Sequence, residues 1–251
     1  ACFNCPIRCA RWVEIPKGRF AYEGPGPEYE TLGSCGSMLL IDDLEAVSWL
    51  GEICNKHGMD TISAGCTVAW AMEAYEKGAI TKDDTGGIEL TWGNVDAALE
   101  IFEQMGKSEG FGAVLALGSK KAAEKVGKGS GEYAIQVKGM EAPMHDPRAF
   151  QSLAVNYATG PRGACHVQGG SFMFELGVIS TEAGVRYKQG RFDKKNKGLL
   201  AKVSQDFAGI FNSMAICMFG ALALQPSHMA ALATLTTGLP YTTQSLLEVG
   251  E

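Results

Sequence analysis

The sequence lacks any apolar run long enough to span a lipid bilayer, since runs such as residues 214–224 are too short. Positive charge is outnumbered, with 22 Lys and Arg against 28 Asp and Glu, which argues against a nucleic-acid-binding surface. The 251 residues contain no signal-peptide pattern, tandem array or low-complexity segment. These absences favour a globular chain without a membrane span, which we expect to be cytoplasmic.

What the sequence does contain is cysteine, with eight residues in 251. Without a secretion signal, this number predicts a protein of a reducing compartment whose cysteines bind metal or take part in redox chemistry, rather than a disulfide framework. The length allows one or two domains. Because a cysteine motif stands at the very edge of the chain, we expect a fragment of a longer protein with an upstream domain missing.

The first nine residues hold three cysteines at C-x-x-C-x-x-x-C spacing, namely Cys2, Cys5 and Cys9. Three thiolates this close can hold three corners of an iron–sulfur cluster, with the fourth ligand coming from elsewhere. A zinc site fits less well because zinc usually takes two ligands here and two far away. A disulfide knot is disfavoured by the length of the chain. The spacing therefore favours a cluster.

Hydrophobic periodicity predicts a mostly α architecture with few short strands. A hairpin is expected over residues 10–23, an irregular loop over 24–31 and a short strand near 133–137. Asp42 or Asp43 can begin a helix that ends at Gly58. Further helices are predicted after Asp60, after Asn94, within 109–126, over 198–223 and 226–237, and from about 246. Residues 144–170 are predicted to be rich in loops.

Two six-residue stretches share one pattern: a short polar residue, two spacers, a small residue, an apolar residue and a residue able to bind a ligand. They are residues 55–60 (NKHGMD) and 212–217 (NSMAIC). If both stretches form the same turn, they would bind two chemically similar groups, one at each pseudo-equivalent loop. The second stretch falls inside a helical pattern that it is expected to interrupt. Six-residue matches of this kind are common by chance, so the pattern alone says little.

Several motifs occur together in a fixed order along the chain. They are the cysteine trio and the segments 27–31 (PEYET), 41–46 (IDDLEA), 58–63 (GMDTIS), 146–148 (DPR) and 161–166 (PRGACH). This set, in this order, resembles the tungsten-containing aldehyde ferredoxin oxidoreductase family. The resemblance covers essentially the whole chain and corresponds to the two helical domains, domains 2 and 3, without the family's N-terminal β domain. It implies a helical domain over residues 1–135 and a second over 136–251.

This resemblance implies a tungsten or molybdenum ion held by two pterins, a nearby 4Fe–4S cluster, and Mg²⁺ between the pterin phosphates. By position, Cys217 would be the fourth cluster ligand beside the trio. The family's pterin motifs read D-x-x-G-L-D and D-x-x-G-L-C. The matching residues here, in which asparagine replaces the leading aspartate and can still hydrogen-bond a pterin, are Asn55, Met59, Asp60, Asn212 and Ile216.

The resemblance also assigns the substrate pocket. Glu28 matches a carboxylate able to activate water or move protons, and His166 matches a proton-donating histidine. His145 falls where relatives carry tyrosine, which suggests altered proton delivery or a different substrate. The structural alternatives are a solvated loop for Glu28, a capped loop histidine for His166, and a turn histidine satisfied by Asp146 for His145.

Two departures from the family bear on the branch and on assembly. Cys35 lies in a run of small residues that should leave its thiol reachable, and a cysteine near this place coordinates tungsten in the benzoyl-CoA reductase branch. A small buried turn residue is the alternative for Cys35. Trp49 and Glu52 occupy the positions of an E-x-x-H iron site, so an oligomer bridged by that iron is not expected.

The resemblance therefore implies an oxidoreductase that exchanges electrons with ferredoxin or a larger electron-transfer subunit. Cys35 and His145 favour reduction of an aromatic acyl-CoA such as benzoyl-CoA. The first alternative is oxidation of an aldehyde to a carboxylate. A second alternative, from another class, is an iron–sulfur electron-transfer module without catalysis, which would leave the Glu28 and His166 motifs unexplained.

Overall fold

The structure is a computed structural model that describes residues 2–251. The chain divides into two compact units, a first unit of residues 1–144 and a second unit of residues 145–251. The predicted domain boundary at 135/136 stays a prediction. The predicted class is confirmed: both units are built mainly from helices, and strands are few and short. Among the described residues, no helix is long and apolar enough to cross a membrane.

All four strands belong to the first unit and form two small antiparallel hairpins. In the first hairpin, Trp12 pairs with Pro25 and Ile15 with Tyr22. The predicted hairpin is thus confirmed, although its second arm lies later in the chain than expected. The strands are β1 (Trp12–Ile15), β2 (Tyr22–Pro25), β3 (Gln136–Val137) and β4 (Met140–Glu141).

Three helices of the first unit begin where the sequence predicts, because a side chain caps each of them. Asp43 accepts hydrogen bonds from Glu45 N and Ala46 N, Asp60 from Ser63 N, and Asn94 from Ala97 N. The helices are α1 (Tyr29–Thr31), a π-helix (Leu32–Gly36), a 3₁₀ helix (Ser37–Leu39), α2 (Leu44–His57), α3 (Thr61–Glu76), α4 (Val95–Lys107), α5 (Gly112–Leu115), α6 (Ser119–Val126) and a 3₁₀ helix (Ser130–Tyr133).

Helix α3 lies at the centre of the first unit. It is buried around most of its circumference, as expected for a helix without a polar face. A Cβ atom at Gly65 would lie 2.5 Å from the backbone oxygen of Ser34. Only glycine therefore lets α3 approach the π-helix this closely. Thr31 Oγ1 and Thr61 Oγ1, 2.9 Å apart, hold the two segments together.

The second unit is organised on α9, which packs against α7 and α12. Phe207, Phe211 and Ile210 of α9 form a buried cluster with Met229 and Leu246. The helices of this unit are α7 (Gln151–Thr159), α8 (Phe172–Leu176), α9 (Lys197–Ser213), α10 (Met218–Ala221), α11 (Pro226–Thr237) and α12 (Thr243–Gly250).

Three expectations about local structure are corrected, and the expected interruption of one helix is confirmed. The loop predicted over 24–31 instead ends β2 and begins a helical run that continues to Leu39. The loop-rich stretch 144–170 contains α7, which no side chain caps at its start. The helix predicted over 198–223 ends at Ser213 and restarts at Met218, as the repeated pattern suggested. The strand predicted near 133–137 is reduced to Gln136–Val137.

Candidate active-site groups in the two units

The cysteine trio lies on an open, bent loop of the first unit. Cys2 and Cys9 are exposed and Cys5 is partly exposed. Asn4 and Arg8 adopt left-handed backbone angles, with φ of 54° and 50°, and bend the chain between the cysteines. Residues 2–8 line a cavity of about 380 Å³. Cys2 and Cys5 line this cavity, and the exposed Cys9 follows one residue after its last lining residue, Arg8.

Exposure separates the eight cysteines, all of which are free thiols, into two groups. The four predicted cluster ligands are exposed or partly exposed. The other four are buried, and two have raised pKa values. Burial, followed by the nearby Glu141 carboxylate, raises the pKa of Cys66 to about 12. A hydrogen bond with Cys35, followed by burial, raises the pKa of Cys54. A thiol that stays protonated is a poor metal ligand.

Cys35 lies inside the π-helix and is completely buried. Its sulfur is 3.7 Å from Ser34 Oγ and 3.9 Å from the backbone oxygen of Thr61. The expectation that this thiol is reachable is therefore wrong for this structure. The tungsten-ligand role of Cys35 stays a prediction. No sequence pattern indicates a π-helix here, and π segments inside helices are frequent at functional sites.

The first repeated stretch, residues 55–60, ends α2 and begins α3. Gly58 has φ of 68°, Gly58 N donates to Asn55 O, and Met59 N donates to Cys54 O at 2.9 Å. These two hydrogen bonds define a Schellman turn. Asp60 then caps α3 through Oδ2, 2.8 Å from Ser63 N. A Cβ atom built on Gly58 would meet nothing within 4 Å, so space is open beside the turn.

The second repeated stretch, residues 212–217, forms the same turn at the end of α9. Ala215 has φ of 54°, Ala215 N donates to Asn212 O, and Ile216 N donates to the Phe211 carbonyl at 2.8 Å. Cys217 is the residue before α10, as Asp60 is before α3, but its side chain makes no capping hydrogen bond. The order of exposed and half-buried positions is also identical in the two stretches. The sequence pattern thus corresponds to one backbone geometry used twice.

Glu28 lies at the start of α1 and is exposed. Its Oε2 accepts a hydrogen bond from the Arg11 guanidinium at 3.0 Å, and Arg11 also donates to Pro27 O at 2.8 Å. Arg11 therefore fixes this segment from its place just before β1. Nearby, Glu30 Oε2 accepts a hydrogen bond from Met144 N at 2.7 Å. The sequence offered no signal that would single out Arg11.

The two predicted histidines are neighbours in the second unit. The His145 and His166 rings stack with centroids 4.5 Å apart and planes inclined by 14°. The Phe172 ring also packs against the His145 ring, with the two centroids 4.7 Å apart, and restrains its orientation. Asp146 is engaged by Arg148, whose hydrogen bonds lower the pKa of the aspartate. The structure thus places both imidazoles, each able to carry protons, side by side.

The loop that carries His166 is held by side chains of α7 and α9 and by a hydrogen bond within the loop. Asn156 of α7 donates to Cys165 O at 3.1 Å, and Gln205 of α9 donates to Asn156 Oδ1 at 3.1 Å. Cys165 Sγ accepts from Gln168 N at 3.3 Å. A Cβ at Gly169 would lie 2.2 Å from Asn156 Oδ1, so glycine is required there. The buried Cys165 thiol is therefore engaged within its own loop.

Comparison with known proteins decides the family. The profile described as "Aldehyde ferredoxin oxidoreductase, domains 2 & 3" matches residues 1–251. The tungsten-containing aldehyde ferredoxin oxidoreductase of Pyrococcus furiosus is 34% identical over 252 residues, covering 100% of this chain. This chain belongs to the aldehyde ferredoxin oxidoreductase family. The sequence-based assignment is thereby confirmed. The chain spans 40% of the length of that relative.

Two further relatives show the breadth of the aldehyde ferredoxin oxidoreductase family. The tungsten-containing enzyme of Thermococcus kodakarensis is 31% identical over 252 residues, which is all of this chain and 40% of the relative. An aliphatic sulfonate oxidoreductase, WOR-like subunit, of Pyrococcus furiosus is 31% identical over 173 residues, covering 65% of this chain and 27% of its own.

A solved structure has the same fold. The active-site complex BamBC of benzoyl coenzyme A reductase, bound to 1,5-dienoyl-CoA, aligns with a TM-score of 0.73 over 100% of this chain and 42% of that chain. The sequences are 17% identical, so this similarity shows the fold and no more.

Proposed function

We propose that the chain is part of a tungsten- or molybdenum-bispterin oxidoreductase that also carries a 4Fe–4S cluster. The division of the cysteines supports this most directly. The four thiols assigned to the cluster are accessible, and the four others are buried. A protein that used cysteine only as a small core residue would have no reason to keep this particular set at the surface.

Cys2, Cys5, Cys9 and Cys217 would hold the cluster. The two Schellman turns would each grip one pterin, through Asn55, Met59 and Asp60 in the first unit and Asn212 and Ile216 in the second. Asp60 uses one carboxylate oxygen as a helix cap, and a carboxylate has further lone pairs that could accept pterin N–H groups. A Mg²⁺ ion would accompany the pterins. When bound, the metal supplies two-electron chemistry and the cluster relays electrons singly.

The chain's own residues would position groups and move protons. Glu28, oriented by Arg11, would accept a proton from water or substrate at a carboxylate oxygen. His166 would donate a proton to a developing oxyanion. His145, stacked on His166, would fix the ring plane and offer a second imidazole for proton exchange. Ferredoxin or a larger electron-transfer subunit would exchange electrons with the cluster.

The burial of Cys35 weakens the argument for aromatic acyl-CoA as the substrate class. The sequence favoured aromatic acyl-CoA reduction because of Cys35, which could donate a thiolate to tungsten, and because of His145, which stands where relatives carry tyrosine. Cys35 is fully buried and contacts the Thr61 carbonyl. The curated relatives that match the whole chain at 31–34% identity are named aldehyde ferredoxin oxidoreductases. We therefore favour aldehyde oxidation to carboxylate and keep benzoyl-CoA reduction as the alternative, because Cys35 still lies in a π-helix.

The test uses the full-length protein with its metals inserted. We expect both iron and tungsten or molybdenum, and activity on aldehydes with a viologen dye as electron acceptor. Glu28→Gln should lower kcat/KM by about 100-fold or more without changing metal content. Glu14→Gln, the same change at another exposed glutamate, should have no effect. Iron without tungsten or molybdenum would instead indicate the non-catalytic electron-transfer module.

X-ray absorption at the tungsten edge separates the two enzyme branches. If Cys35 binds tungsten, Cys35→Ser should remove one sulfur scatterer beyond those of the dithiolenes, and the wild type should reduce benzoyl-CoA. If Cys35 is only a core residue, the shell of scatterers should be unchanged and aldehydes should be the better substrates.

A further inference from the structure

A short stretch of the second unit concentrates exposed positive charge. Residues 186–195, here called the basic loop, read RYKQGRFDKK and contain five cations and one acidic residue, Asp193. All five cations are exposed: Arg186, Lys188, Arg191, Lys194 and Lys195. Tyr187 and Phe192 are each 67% exposed. Exposed cations interleaved with exposed aromatic rings are typical of binding surfaces.

The surrounding charge makes this loop unusual. The first unit carries 13 Lys and Arg against 21 Asp and Glu, whereas the second carries nine against seven. More than half of the second unit's cations therefore lie in these ten residues. Among residues 2–251, no carboxylate forms an ion pair with any of the five. Their charge is left to act on something outside the chain.

The loop is fixed at several points by the fold beneath it. Arg191 Nε donates to Ala149 O at 3.0 Å, and Arg191 O accepts from Gln151 N at 3.1 Å. The Arg191 guanidinium also stacks 4.4 Å from the Phe150 ring. The protein thus holds the backbone of a charged surface segment in one place.

A buried ion pair secures the base of the loop. Lys197 is buried, forms an ion pair with the fully buried Glu175, and donates a hydrogen bond to Gly190 O at 2.5 Å. Removing two charges from water is costly, and such pairs often specify a particular geometry more than they add stability. Here the geometry that the pair specifies is the position of the basic loop.

We propose that the basic loop is the docking site for an acidic electron-carrier protein. This inference rests on the proposed function, because that function requires an electron partner. Nine of the ten residues are exposed, so the loop offers an outward strip rather than the concave site that a small ligand needs. The aromatic rings supply contact area, and the cations steer and orient an acidic face.

The experiment measures binding of a strongly acidic ferredoxin to the full-length protein by calorimetry at low and high salt. The triple variant K188Q/K194Q/K195Q should weaken binding by about tenfold at low salt, and the difference should vanish when salt screens the charges. The matched control, K120Q/K121Q/K125Q, removes three exposed lysines from α6 in the first unit and should bind as the wild type does. Phe192→Ser should weaken binding about fivefold at both salt concentrations.

Activity with a small viologen dye distinguishes a failure of the docking-site proposal from a failure of the proposed function. We expect the dye-linked rate to be unchanged in the loop variants, while the KM for ferredoxin rises. Equal ferredoxin binding by the loop and control variants would overturn the docking site even if the enzyme oxidises aldehydes. Loss of binding to adenosine triphosphate, with ferredoxin binding unchanged, would also overturn it in favour of a nucleotide site. An inactive enzyme with loop-dependent ferredoxin binding would contradict the proposed reaction alone.

Discussion

The turns at residues 55–60 and 212–217 share one backbone conformation but finish differently. Both end a long helix with the same pair of hydrogen bonds and a left-handed fourth residue. The first uses Gly58 at the left-handed position and is followed by Asp60, which caps the 16-residue helix α3. The second uses Ala215 and is followed by Cys217, which precedes the four-residue helix α10 without capping it.

Because the two turns share one backbone conformation, they differ in the role of their last residue, Asp60 in the first and Cys217 in the second. The shared turn needs a small left-handed residue and an apolar residue after it. Asp60 has a structural partner that explains its side chain, whereas the Cys217 thiol is exposed and has no capping role. The second turn therefore presents an exposed thiol without a capping hydrogen bond, and the proposed role of Cys217 as a cluster ligand can be tested there.

The largest expected effect tests Cys217 directly. Cys217→Ser replaces a soft thiolate by a hydroxyl, so the holoenzyme should lose most of its cluster iron. Because electrons would pass through the cluster, the ferredoxin-linked rate should fall by at least about 100-fold. Iron analysis and the visible spectrum measure the cluster, and circular dichroism checks that the helices remain.

The control for that change is a buried thiol. Cys66→Ser should leave the iron content unchanged, since Cys66 is buried and the new hydroxyl can still donate to Ala142 O as the thiol does. If Cys217→Ser retained a full cluster, the contrast between the two turns would lose its functional meaning and both would be ordinary helix ends.

The next effect concerns the glycine of the first turn. Gly58→Ala puts a Cβ on a residue with φ of 68°, which should cost about 1–2 kcal/mol of unfolding free energy. The added atom would meet nothing within 4 Å, so the cost is that of the backbone alone. Urea unfolding, with amide exchange at Met59 as a local probe, measures it. Gly198→Ala, in a helix with space around it, should be neutral or stabilising; equal losses at both positions would contradict the assignment.

A smaller effect distinguishes the final residues of the two turns. Asp60→Ala removes the cap of α3 and should cost about 1 kcal/mol, whereas Asp60→Asn keeps an accepting oxygen and should cost less. In metal-free protein, Cys217→Ala should leave the unfolding free energy nearly unchanged because no capping bond is lost. A comparable cost at Cys217 would mean that its side chain has a structural partner after all.

The helices that the sequence predicts best are those with capping side chains. The starts of α2, α3 and α4 follow from Asp43, Asp60 and Asn94, because an oxygen near the first free amides is a local signal. Helix α7 was missed because Phe150 precedes it and no side chain caps it. The π-helix has no sequence signal because its glycines, which suggest a loop, are needed for close packing: Gly33 lies against Met144 and Gly36 against Val47 of α2.

For the candidate site, the roles predicted from the sequence stay predictions, and the structure adds the surroundings of each residue. The repeated pattern, which alone says little, corresponds to two matching turns, since turn chemistry is local. The stacking of His145 on His166 depends on residues 21 positions apart and has no sequence signal. The burial of Cys35 follows from α2 and α3 packing around it, so a run of small residues was mistaken for an accessible loop.

The smallest expected effect is a gain in the second turn. Ala215 has φ of 54°, a conformation that disfavours a side chain, so Ala215→Gly should raise the unfolding free energy by at most about 1 kcal/mol after the greater freedom of glycine in the unfolded chain is subtracted. Thermal unfolding of the metal-free protein measures the gain. Gly58→Ala should lower the unfolding free energy and Ala215→Gly should raise it, because both test the same left-handed position of the turn. A loss at Ala215 would show that its methyl group makes contacts that outweigh the strain, and that the two turns differ before their final residues.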